Sequence, residues 1–264
     1  MQAIVFILAT LFIVPFGVKG QQAKEVRRFE ISQAKQAVAV DKDYFYVINN
    51  SSISKHRKND GKLMASWDGT REGLLTHLNS GMVMEGKLYC AHSNYPEEPM
   101  ASSIEVFDTQ TLEHIDNHSF GIMTGSATWI DHYQGYWWVG FAHYTGKGAS
   151  EGKDTRWTSV VKFNKAWQQV ESWIFPKQLI EQFMPKSNSG GVIGKDGLLY
   201  CTGHDKAELY VMQIPDKGFT LQHLKTIPTT IEGQGIALDH SVTDKLVFYG
   251  ISRSGNKVIV NEIQ

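Results

Sequence analysis

One unit is written five times along this chain, and a repeat of that size and make-up restricts the fold more than any other feature. Each copy opens on a short stretch of small and apolar residues, at 36–40, 79–83, 126–130, 189–193 and 234–238. A polar turn follows, such as Asp41-Lys42-Asp43, Glu85-Gly86-Lys87 or Lys195-Asp196-Gly197. Then comes an aromatic strand, at 44–48, 88–91, 136–141, 198–202 and 246–250. The openings lie about 45 residues apart, with one longer interval of 63 between the third and fourth. Strand-built repeats of this period specify a β-propeller.

Third strands are expected at 52–55, 103–107, 159–163, 209–212 and 258–260, and fourth strands at 62–65, 112–115, 170–173 and 221–224. Turn residues such as Asn59-Asp60-Gly61 and Pro215-Asp216-Lys217-Gly218 separate them. The fifth copy stops after its third strand. Ahead of the first copy, Glu25-Val26-Arg27-Arg28-Phe29-Glu30-Ile31 is strand-like and unassigned. An open sheet edge invites mispairing, so this segment is expected to supply the outer strand of the last blade. The expected fold is all-β: a five-bladed propeller closed by its N-terminal strand.

Residues 1–20 read as a signal peptide. The apolar run from Ala3 to Phe16 is too short for a span of ~20 residues, and Val18 and Gly20 suit the −3 and −1 positions of a cleavage site. The expectation is a secreted or periplasmic protein, with residues 21–264 forming a single propeller domain and no membrane contact after cleavage. Seven Trp, ten Tyr and thirteen Phe supply an ample core. A formal net charge of −1 offers no basic stripe for nucleic acid or an anionic membrane surface. Cys90 and Cys201 occupy the same strand position in blades two and four. With blade three between them they lie beyond the ~7 Å reach of a disulfide, so both are expected as buried free thiols.

The two faces of such a ring are unequally decorated. Turns joining first to second and third to fourth strands are short and plain. The opposite face carries the links between blades and between second and third strands, which are long and rich in chemistry, and such loops concentrate function. Four histidines fall there: His77 before the second copy, and His92, His143 and His204 at or just past the second strands of copies two, three and four. The first residues of the innermost strands (Gln36, Asn79, Ser80, Ser126, Ser189 and Gln234) add a polar lining. Residues 176–183 read as a short helix and a partial lid. The sum is a polar funnel suited to a small molecule or an ion. Neutral imidazoles bind zinc, copper or iron, so His77, His92, His143 and His204 are candidate ligands of a divalent metal, although no short-spaced metal signature occurs. Ser66-Trp67-Asp68 stands in one repeat only and supports no WD40 array. No nucleotide or flavin signature is present: the stretch 146–150 lacks the Gly-Lys-Ser/Thr of a phosphate loop. There is no Gly-x-Ser-x-Gly nucleophile elbow.

Several stretches together resemble a known group. They are Leu78-Asn79-Ser80-Gly81, Leu88-Tyr89-Cys90-Ala91-His92-Ser93-Asn94-Tyr95-Pro96, Phe141-Ala142-His143-Tyr144, Ser189-Gly190-Gly191, Leu199-Tyr200-Cys201-Thr202-Gly203-His204-Asp205 and Glu232-Gly233-Gln234. They are similar to exported bacterial propeller proteins often labelled "cycloisomerase", which implies kinship with carboxymuconate-lactonising propellers. What the resemblance implies is isomerase or lyase chemistry on a small carboxylate-bearing molecule, which needs an acid and a base near neutral pKa. His92 and His143 are the candidate pair. Arg156 and Lys206 would grip a carboxylate, with His77, Asn79, Tyr95, His204, Glu232 and Gln234 completing the site. The competing expectation is a non-catalytic module binding a sugar, a peptide or a partner protein on the same face.

Overall fold

Within each repeat, burial falls from the axis outward, and that gradient explains which residues form which strand. Second strands are buried along most of their length, whereas fourth strands are largely exposed. A strand covered on both faces must be apolar on both, which is why the second strands read as unbroken aromatic and β-branched runs. The computed structural model describes residues 21–69, 73, 75–122 and 124–263; the expected signal peptide at 1–20 lies outside them.

Among the described residues the first element is β1 (Ala23–Glu30), and four complete blades follow it. Blade one holds β2 (Ala37–Val40), β3 (Tyr44–Asn49), β4 (Ser52–Arg57) and β5 (Leu63–Asp68). Blade two holds β6 (Leu78–Met84), β7 (Lys87–Ser93), β8 (Ser102–Asp108) and β9 (His114–Gly121). Blade three holds β10 (Ser126–Tyr133), β11 (Tyr136–Ala142), β12 (Ser159–Phe163) and β13 (Gln169–Ile174), followed by helix α1 (Lys177–Phe183). Blade four holds β14 (Gly190–Ile193), β15 (Leu199–Thr202), β16 (Glu208–Gln213) and β17 (Gln222–Pro228). The last copy supplies β18 (Ala237–Leu238), β19 (Leu246–Ser252) and β20 (Lys257–Ile263).

Each blade is an antiparallel four-stranded sheet, and the fifth is completed by β1 in the order β1-β20-β19-β18. Arg27, Arg28 and Phe29 face Val260, Ile259 and Val258 across that pairing. Phe29 packs against Phe45 of blade one with ring centroids 4.8 Å apart, so the closing strand also joins the fifth blade to the first. The outer strands run further toward their C-terminal ends than sequence pattern indicated, as β9 and β17 show. Exposed on both faces, they carry no apolar alternation from which to read their bounds.

The core is divided among the joints between blades. Separate apolar clusters fill the interfaces of blades one and two, two and three, three and four, four and five, and five and one. Cys90 lies in the first of these and Cys201 in the third; both are free and buried, and burial pushes their thiols up. Helix α1 buries Leu179, Ile180 and Phe183 in the joint of blades three and four. Trp129, fully buried on β10, donates from Nε1 to Asn188 Oδ1 at 2.5 Å. It fills the space left at Gly191 of blade four, where a Cβ would stand 2.4 Å from the indole. Nearer the axis, a Cβ on Gly235 would stand 2.4 Å from that of Ala37. Asp131 staples the joint of blades three and four. Its carboxylate accepts the Ile193 N–H at 2.7 Å, and burial raises its pKa to about 7.

Closure by β1 makes Phe29 a test of the ring. Phe29→Ala removes a buried ring from the fifth joint and is expected to cost about 3–5 kcal/mol. A calorimetric scan should then show one cooperative transition lowered by about 6–20 °C. An unchanged melting temperature would show that the closing strand does not hold the ring together.

Candidate functional site

Innermost strands of a five-bladed ring meet at the axis, and here each contributes one polar residue to a common cavity. Gln36, Asn79, Thr128, Ser189 and Gln234, one from each blade, line a funnel of about 430 Å³, within the range of about 300–1,000 Å³ usual for small-molecule sites. Two of them arrive there through irregular pairing. Thr128 is the extra residue where β10 slips against β11, and Asn79 lies in the matching slip of β6 against β7. Bulges of this kind re-aim side chains that regular alternation would send elsewhere. Gln234 sits at φ 63°, in the left-handed region uncommon for a residue with a side chain. It is held there by its N–H on the Gly203 carbonyl at 2.9 Å and its Nε2 on the His204 carbonyl at 3.1 Å.

A second tier stands above this floor. Asn50, His204 and Arg253 directly or closely follow β3, β15 and β19, while Tyr95, Pro96, Tyr144 and Lys147 come from the loops after β7 and β11. Thr76, His77 and Lys186 come from links between blades. Tyr95 packs between His77 and Tyr144, with centroid distances of 5.2 and 4.8 Å, and its hydroxyl accepts from Lys186 Nζ at 3.3 Å.

The charges are one-sided. Lys147, Lys186 and Arg253 line the funnel together with two histidines, and among the described residues no aspartate or glutamate lines it. His204 Nδ1 bonds Asp205 Oδ1 at 2.5 Å on the outer side. A carboxylate only accepts, so Nδ1 carries the proton and Nε2 keeps its lone pair, 3.5 Å from Arg253 Nη1. Burial lowers the His204 pKa; Asp205 opposes this, and Lys186 and Arg253 reinforce it. His77 is lowered to about 4, first by burial and then by repulsion from His92, Arg253 and His204. Both rings are therefore neutral near pH 7.

Of the residues singled out from sequence, Gln36, His77, Asn79, Tyr95, Ser189, His204 and Gln234 share this cavity. His92 stands behind it. Its Nε2 accepts the Thr76 N–H at 3.3 Å and its Nδ1 donates to Ser103 Oγ at 3.0 Å, beside the buried Glu105. With both nitrogens engaged, His92 holds the loop that presents His77. His143 bonds the Thr124 carbonyl at 3.2 Å and faces a different cavity, with Glu98, Glu151 and Lys153 on its walls. The expected acid and base thus do not face one another. Arg156 is exposed and paired with Asp154, and Lys206 is exposed and bonded to Gln182, so neither points into the funnel. Glu232 accepts from the Ser254 N–H and hydroxyl at 2.9 and 2.6 Å, which pins the turn carrying Arg253. Ser80 and Ser126 turn away to the Ile236 carbonyl and Ser93 Oγ. Helix α1 contributes nothing to the funnel wall and wedges a blade joint instead of covering the mouth.

The expected quartet of histidine ligands is not assembled. Among the described residues, no group of three or more His, Cys, Asp or Glu side chains is placed to hold a metal ion. Sequence reasoning passed over the three cations. Arg253 and Asn50 were nevertheless within reach of the same repeat register, since they follow the second strands of blades five and one as His143 and His204 follow those of blades three and four.

No family model matches the chain, and no curated protein matches its sequence. Solved structures match its shape. The PQQ-bound aldose sugar dehydrogenase of Streptomyces coelicolor superposes with a TM-score of 0.53 at 9% identity, over 92% of this chain and 98% of that one. A luciferin-regenerating enzyme gives 0.51 at 9% identity, over 93% and 95%. Kuenenia stuttgartiensis hydrazine synthase gives 0.50 at 11% identity, over 84% and 82%. At such identities the likeness is one of fold, and it places the chain among the β-propellers.

The depressed pKa of His77 has a measurable consequence. Between pH 6.5 and about 4 the unfolded chain binds a proton at His77 that the folded chain refuses, so stability drops as pH falls through that window. Asp131, raised to about 7, acts with the opposite sign between its ordinary value and pH 7, so the expected readout is a difference. Urea midpoints of the unmodified protein should fall more steeply from pH 6.5 to 4 than those of His77→Gln; parallel curves would contradict the burial of a neutral His77.

Proposed function

We propose that the protein is an enzyme acting on a small molecule that carries a negatively charged group, held at the mouth of the axial funnel. The observation that carries this reading is the cationic wall, which holds no carboxylate among the described residues. Three positive side chains gathered in one concavity repel each other, and a bound anion relieves that cost. Arg253 and Lys186 flank His204 and would pair with the anionic group. The His204 Nε2 lone pair is then the base that takes a proton from an adjacent carbon or hydroxyl. The Asp205 contact on Nδ1 orients the ring and stabilises the imidazolium that forms. Proton transfer beside a carboxylate agrees with the isomerase or lyase chemistry implied by the cycloisomerase resemblance, with His204 in the role expected of His92 and His143. Export through residues 1–20, to the periplasm or outside the cell, belongs to the same proposal. A non-catalytic binding module is the second reading, favoured by the placement of His92 and His143 outside the funnel.

Calorimetric titration with a panel of small carboxylates, followed by NMR of solvent deuterium incorporation next to the carboxylate, tests both readings. Arg253→Ala and Lys186→Ala should each weaken binding by about 10- to 100-fold. His204→Gln should retain binding and lose exchange by about 100-fold or more. Binding without exchange in the unmodified protein would select the binding module, and neutral analogues binding as well as carboxylates would overturn the anion site.

A further inference from the structure

The floor of the funnel asks for a different chemistry from its rim. Asn79 Nδ2 donates to the Ala127 carbonyl at 2.9 Å, and Gln234 Nε2 donates to the His204 carbonyl at 3.1 Å. Carbonyls only accept, so these bonds fix both amides with nitrogen toward protein and oxygen free. Among the described residues neither Asn79 Oδ1 nor Gln234 Oε1 has a hydrogen-bond partner, and neither belongs to the buried polar atoms left without one. Both residues line the funnel. Gln36 Nε2 donates to Asn50 Oδ1, which leaves a third amide oxygen, Gln36 Oε1, without a partner among the described residues.

Amide oxygens repel an oxyanion and require a donor. An ammonium donor is disfavoured here by the three cations a short distance above. A hydroxyl satisfies the oxygens without carrying charge. Tyr95, fixed between His77 and Tyr144, adds aromatic carbon to the wall of the same cavity, suited to the C–H groups of a carbon skeleton.

From this division we infer that the ligand is a polyhydroxylated carboxylic acid, of the sugar-acid class, its carboxylate at the Arg253–Lys186 rim and its hydroxyls on the amide oxygens of Asn79, Gln234 and Gln36. This rests on the anion site proposed above and adds to it the identity of the uncharged part. The ligand enters carboxylate-outward, and each hydroxyl that meets an amide oxygen answers a group that water alone satisfies in the empty funnel.

Isothermal titration of the unmodified protein with D-glucuronate, D-gluconate, hexanoate and D-glucose separates the two layers of the argument. The sugar acids should bind at least about tenfold more tightly than hexanoate, which has the charge without hydroxyls, and than glucose, which has hydroxyls without the charge. Hexanoate binding as tightly as glucuronate would overturn the sugar-acid inference and leave the anion site standing. Glucose binding as tightly as glucuronate would overturn the anion site beneath it. As a second measurement, Asn79→Ala, checked for folding by its melting curve, should lower glucuronate affinity by about tenfold and hexanoate affinity hardly at all. Equal losses for both ligands would count against the hydroxyl contact.

Discussion

Packing of blade against blade is the interaction on which everything else here depends. Each sheet has two apolar faces, and neither can be covered from within its own repeat. Burial is complete only when five blades close on themselves, so the five apolar clusters sit at five joints and stand or fall together. A gap at one joint would expose two sheet faces. The pairing of β1 with β20, and the contact of Phe29 with Phe45, remove that gap.

Closure has a second effect at the axis. Five inner strands converge where there is space for little besides glycine, alanine and small polar side chains, so each blade delivers one residue to the same cavity. The bulges in β6 and β10 select Asn79 and Thr128 for that position, while Ser80 and Ser126 are turned into the protein. Polar groups that would be costly in a blade joint are tolerated at the axis because water or a ligand satisfies them there.

The charge of the funnel is likewise a product of assembly. The chain as a whole is almost neutral, at −1, yet Lys147, Lys186 and Arg253 gather with no lining carboxylate among the described residues. Acidic residues near the mouth are spent on other tasks. Asp205 holds His204 from outside, Glu232 pins the turn next to Arg253, and Glu105 is tied to His114 at 2.7 Å behind His92. The carboxylates thus orient the groups around the cavity and leave its interior positive.

Blade number, strand order, ring closure and the free thiols were all legible in the sequence. They rest on short-range pattern, periodicity and the arithmetic of a repeat that ends one strand early, and local chemistry suffices for each. The face that carries the funnel and seven of its residues, Gln36, His77, Asn79, Tyr95, Ser189, His204 and Gln234, followed from the same register. Register alone could not tell His92 and His143 from His204. All three fall at or just past a second strand, but their ring directions are set by the partners they meet: Ser103 and the Thr76 amide for His92, the Thr124 carbonyl for His143, and Asp205 for His204. The grouping of Lys147, Lys186 and Arg253 came only with the closed ring. Electrostatic environment depends on distances in space between residues that lie 39 to 106 positions apart in the chain, and only the tertiary structure sets those distances.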